Sequence, residues 1–161
     1  MPKNLTTNLF RDISQLIDST KHHIAHYANT SLVILNWQIG QRINQDILKE
    51  SRAEYGVQVV SQLAKQLKEQ YGSGFDRPNL SRMIRFARLF PDQQICVTLS
   101  HKLSWSHFIK LISVEETLKR DFYTEMCRLE NWNVRVLRKK IDGMLYERTA
   151  LAKQPEPVIK A

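Results

Sequence analysis

The sequence predicts a mainly helical domain, on three observations. Apolar residues recur every three or four positions through most of the chain, the repeat of one helix face. Glycine and proline gather at 72–78 and at 91, where those repeats stop. A chain of 161 residues has the length of one domain, able to bury about two thirds of its unfolded surface.

The first expected helix, about 5–27, carries Leu5, Leu9, Ile13, Leu16, Ile17, Ile24 and Tyr27 at helical spacing. The second, about 30–50, is apolar on nearly every side in its first half (Leu32, Val33, Ile34, Leu35, Trp37, Ile39), as a central helix is. Gly40 in its middle costs about 1 kcal/mol against alanine, which implies a neighbouring helix crossing closely there. The third, about 53–70, buries Val57, Val60, Leu63, Ala64 and Leu67 and stops at "YGSG", where glycine supplies the positive φ of a helix end.

A fourth helix, about 78–90, is capped by Asp76 or Asn79, with Pro78 in its first turn and Pro91 ending it. Ile95, Val97 and Leu99 alternate with small or polar residues, so 94–99 reads as a short strand or as the irregular approach to a helix at 104–112. Ser113 and Glu116 form a capping-box pattern before a helix at 114–130, with Leu118, Phe122, Met126 and Leu129 on one side. A last helix, 133–150, buries Val134, Leu137, Ile141, Met144 and Leu145. The domain is thus expected over 1–150, and the two-proline tail 151–161 reads as a linker.

Composition excludes several classes. The longest apolar run, "LVIL" at 32–35, is far short of the roughly 18 residues a membrane span requires. The N-terminus lacks the apolar core of a signal peptide, so the expected location is the cytoplasm. Cys96 and Cys127 lack metal-ligand spacing and are expected as buried, reduced thiols. His22 and His26 share a helix face, but no acid or cysteine joins them, so no metal site is expected. "GSG" at 72–74 is no phosphate-cradling loop, and no cofactor is expected. Trp105 reads as a core anchor with its N–H bonded, Trp132 as a packing residue, and His107 as able to touch phosphate.

Charge points to a partner. The net charge is +8, and residues 77–110 hold six Lys/Arg against Asp92 alone. In "GSGFDRPNLSRMIRFARLFP", residues 72–91, Arg82, Arg85 and Arg88 fall opposite the arc of Leu80, Met83, Ile84, Phe86, Ala87 and Phe90. A face chosen for solubility would alternate signs. This one carries no acid between Asp76 and Asp92, which favours a polyanion. Phe86 and Phe90 lie on the apolar side, away from stacking, which favours duplex over single strand.

The same block, followed by "LSWSHFIKLISV" and "FYTEMCRLENWNVRVLRKKIDGMLYER", resembles the N-terminal domain of the YhcG-like family, and "NWQIGQRI" matches its style. The resemblance spans roughly residues 10–150. It implies a helix-turn-helix or winged-helix domain that binds DNA and precedes a C-terminal PD-(D/E)XK nuclease domain. No Asp or Glu in this chain is followed two positions later by Lys, so that nuclease site is not here and no catalytic residue is assigned. "PD" at Pro91-Asp92 is a helix-ending turn.

The reading that follows is a double-stranded DNA-binding module. Arg82, Arg85 and Arg88, with Asn79 and Ser81 on the same helix, meet the duplex; Arg77 and Lys102 lie on its backbone. Arg135, Arg138, Lys139 and Lys140 form a second basic cluster. The alternative is a protein-interaction or dimerisation module, with the first two helices forming a bundle and the basic helix docking an acidic partner; a homo-oligomer is one form of it.

Overall fold

The computed structural model describes residues 3–48 and 53–153. They form α1 (Lys3–Leu48), α2 (Ala53–Tyr71), a single 3-10 turn (Ser73–Phe75), α3 (Arg77–Leu89), α4 (Gln93–Leu99), α5 (Trp105–Ile112), α6 (Thr117–Glu130), α7 (Val134–Asp142) and α8 (Leu145–Lys153). Among the described residues there is no strand, so nothing from which a wing could be built.

The two helices expected before residue 50 are one. "YANTS" at 27–31 holds neither glycine nor proline. Asn29, which could have capped a new start, instead donates its amide to the carbonyls of Ser100 and Leu103. α1 therefore runs on unbroken, and its C-terminal half forms the centre of the domain. Val33 is fully buried and Trp37 nearly so, its Nε1 donating to the Phe90 carbonyl at 2.7 Å. The close crossing implied by Gly40 is present. A Cβ there would stand 2.0 Å from the Met83 carbonyl oxygen, so α3 lies directly on the α1 backbone.

α3 is a wall shared by two clusters. Leu80 and Met83 meet Ile43, Val60 and Ala64 from α1 and α2. Phe86, Ala87 and Phe90 meet Val33 and Trp37, together with Cys96, Leu103, Phe108, Tyr123 and Leu137 from the second half of the chain. Residues 94–99 belong to a helix rather than a strand. The Asp92 carboxylate accepts the N–H groups of Gln94 and Ile95, and Cys96 and Leu99 turn inward at helical spacing while Ile95 is exposed.

Three further features differ from expectation. Ser113 forms no capping box. Its hydroxyl donates to the Lys110 carbonyl and closes α5, and α6 starts at Thr117. α6 is turned relative to the expected face. Leu118 and Leu129 are exposed, while Arg120, Tyr123, Thr124 and Cys127 point inward. Arg120 explains the turn, since its Nη1 donates to the carbonyls of Val114 and Glu115 just past the end of α5. The expected helix at 133–150 is broken at Gly143 and Met144, the latter at φ 57°. Tyr123 spans the break: its hydroxyl donates to the Lys140 carbonyl and accepts the Tyr146 N–H. Met144 is consequently exposed, as is Val57 on α2. α8 carries the chain to Lys153, and the rest of the expected linker, 154–161, lies outside the described residues.

Candidate nucleic-acid interface

Local chemistry sets the start of α3. The Asp76 carboxylate accepts the Asn79 N–H as N-cap, and Pro78 occupies the first turn, where its missing donor costs nothing. Asn79 looks inward to the turn. Its amide donates to the Gly74 carbonyl and its Oδ1 accepts the Trp105 indole N–H at 3.4 Å. Trp105 is the anchor the sequence implied, half-buried and edge-on to Phe86 at 5.3 Å.

With Leu80, Met83, Phe86 and Ala87 inside, the outer face of α3 presents Arg77, Ser81, Arg82 and Arg88 to solvent. Arg85 is half-buried, and its Nε donates to the Ile112 carbonyl at 2.6 Å, at the C-terminal end of α5 where that helix is electronegative. Among the described residues, no acid pairs with Arg77, Arg82, Arg85 or Arg88.

α5 lies between this face and the second basic cluster, contacting both α3 and α7. Arg135, Arg138 and Lys139 are exposed on α7, while Lys140 lies half-buried with its Nζ 5.6 Å from the centre of the Trp132 ring. Arg138 shares a shallow cleft with Lys110 and Ser106. Two acids that follow the cluster in the chain are already engaged: Asp142 with Lys110 at 4.0 Å and Glu147 with Lys119 at 3.4 Å. Lys102 is exposed and donates to the Asn131 side chain at 3.0 Å.

His107 is not available to a phosphate. It is buried, with Nδ1 bonded to Ser104 and Nε2 to the Trp132 carbonyl at 2.7 Å, which makes it the helix-start partner of Ser104. The structure also joins two histidines the sequence kept apart, His26 Nε2 lying 2.7 Å from His101 Nδ1 with the rings stacked. No cluster of three or more His, Cys, Asp or Glu among the described residues is placed to hold a metal ion. No helix among the described residues is long and apolar enough to cross a membrane. Burial pushes the Cys96 thiol up to about 12, with Asp92 adding to it, and the Cys127 thiol up to about 11, so neither is a nucleophile at neutral pH.

The class is a helical domain whose most arginine-rich helix is also held in its core. Residues 12–148 match the DUF1016 N-terminal domain, and the chain belongs to that family. It is 29% identical over 170 aligned positions to a protein of Escherichia coli (strain K12) that bears the name "Putative nuclease YhcG". That alignment takes in 87% of this chain and 45% of the relative, so the chain spans less than half of the curated protein it matches. No solved structure matches the chain.

Proposed function

We propose that the chain is a double-stranded DNA-binding module in which α3 meets the duplex. The carrying observation is the outer face of α3. Arg77, Arg82 and Arg88 stand free of acids on a helix whose opposite face is locked against α1, so the cations are held in one geometry before any ligand arrives. α2, the five residues 72–76 and α3 make up a helix-turn-helix with a turn longer than the usual three or four residues.

In this reading Arg82 and Arg88 reach guanine edges or phosphates, with Ser81 between them, and Arg77 and Lys102 lie along the backbone. Arg85 serves through its two terminal nitrogens while its Nε holds α5. Asn79, engaged by Gly74 and Trp105, sets the position of the helix start. Arg135, Arg138, Lys139 and Lys140 extend the positive surface across α5. The hydrolysis that the relative's name indicates belongs to the part of that protein this chain does not cover. The chain itself holds no acid-x-Lys element. A protein-interaction role has an observation of its own in the exposed apolar face of α1, a separate surface from the arginines.

Fluorescence anisotropy on a labelled duplex at two salt concentrations tests this reading. Replacing Arg77, Arg82 and Arg88 with alanine is expected to leave the unfolding midpoint in place and to weaken binding. The slope of log K against log salt should fall by about 0.9 for each phosphate contact removed. Arg85 is kept, because its loss would also free the Ile112 carbonyl. Unchanged affinity and slope in the triple variant would remove α3 from the interface.

A further inference from the structure

Among the described residues, the domain leaves positions 9–28 of α1 largely uncovered. From Leu9 to Ala28 every residue except Ser14 and His26 is exposed. Yet this stretch holds Leu9, Phe10, Ile13, Leu16, Ile17, Ile24 and Tyr27, each between 47% and 75% exposed. Phe10, Ile13, Ile17, Thr20, Ile24 and Tyr27 alternate three- and four-residue steps, the a and d positions of a coiled-coil seam, and Leu9 and Leu16 flank it. On the helix wheel this seam lies roughly opposite Val33, Trp37 and Gly40, so α1 cannot present both faces to its own domain.

We propose that this free half of α1 is a self-association helix, paired antiparallel with the same segment of a second copy. Area supports a partner of that size. The seven apolar side chains leave roughly 800 Å² exposed, beyond the largest patch a monomer usually carries and equal to one partner's share of a standard interface. Charge supports a second copy over other partners. Residues 9–28 contain Arg11 and Lys21 against Asp12 and Asp18, two against two, in a chain whose total is +8. This neutral stretch offers nothing to a nucleic acid or an anionic lipid surface and no repulsion to itself.

The pattern also sets the direction. Pairing about the midpoint of residues 18 and 19 puts Phe10 opposite Tyr27, Ile13 opposite Ile24 and Ile17 opposite Thr20, each twice. It also brings Asp18 of one copy toward Lys21 of the other. It sends the two basic domains to opposite ends, their Gly40 crossings about 65 Å apart, whereas parallel pairing would crowd them together.

Sedimentation equilibrium at tens of micromolar protein is the direct test, and a concentration-dependent dimer is expected. Ile17→Glu with Ile24→Glu buries unpaired charge in four layers of the pair and is expected to raise Kd at least about 100-fold. The domain's unfolding transition should stay in place, since neither side chain touches its core. Leu32→Glu, exposed but off the seam, is the control and is expected to leave the dimer intact. For direction, Ile13→Cys chains mixed with Ile24→Cys chains should cross-link on mild oxidation, while neither does alone, because like positions lie about 16 Å apart. The buried Cys96 and Cys127 do not compete. A wild-type chain that stays monomeric, or a glutamate variant that stays dimeric, overturns the proposal. Cross-linking of Ile24→Cys alone overturns the antiparallel arrangement.

Discussion

Gly40→Ala is expected to destabilise the domain by about 3 kcal/mol or more, and Gly40→Val to prevent folding. Helix propensity argues the other way, because alanine should stabilise a helix interior by about 1 kcal/mol over glycine. Geometry decides the sign. The added carbon would stand 2.0 Å from the Met83 carbonyl oxygen and 2.5 Å from its carbon. Those are backbone atoms with no rotamer to change, so α1 and α3 would have to part by more than 1 Å along the whole crossing. Both clusters that share α3 would loosen together. Gly56→Ala is the control: its new carbon would meet Ile47 Cγ2 at 3.4 Å, ordinary contact, and should be neutral or mildly stabilising. Urea unfolding midpoints read both, and a Gly40→Ala protein as stable as the parent would mean that the helices do not cross so closely.

Trp37→Ala is expected to cost about 3–5 kcal/mol, the range of large aromatic truncations in a core. Two losses combine. The indole fills the space between α1 and the end of α3, and its N–H is a partner of the Phe90 carbonyl, which Cys96 otherwise reaches only through its thiol at 3.6 Å. Trp37→Phe separates them, keeping most of the volume and losing the hydrogen bond. It should cost about 1–2 kcal/mol beyond the small volume change. A negligible loss from the alanine variant in the same urea titration would show that this half of α1 is not the centre of the domain.

Much of the fold was legible in the residues. α3 and its cap, the break at Gly72, the buried indole of Trp37 and the close crossing at Gly40 all follow from local rules that the tertiary structure does not contradict. The family resemblance is likewise upheld by the match over residues 12–148. What was not legible depends on partners distant in the chain. The helix expected to stop before residue 30 continues because Asn29 bonds to carbonyls more than 70 residues away. The inward face of α6 is chosen by Arg120 reaching back to α5, a role periodicity alone assigns to leucine. Alternation at 95, 97 and 99 mimics a strand over so short a run, and the Asp92 cap settles it as a helix. On the candidate interface, the exposure of Arg82 and Arg88 follows from the helical wheel. The tether of Arg85 to Ile112 and the enclosure of His107 do not, since both use backbone carbonyls that no spacing rule marks.

The continuity of α1 has a consequence for how that helix persists. Isolated helices shorter than about 12–15 residues are marginal in water, because the first turn must be nucleated before later residues add stability. The exposed half of α1 never meets that barrier. Its first turn is already made where Val33 and Trp37 are held, and each residue toward Leu9 only extends an existing ladder. At concentrations where the chain is unpaired, amide protection should therefore decline along a single helix, from the level of global unfolding near the Gly40 crossing to that of a fraying end at the tip. A helix of this kind is a protrusion grown from a fixed root.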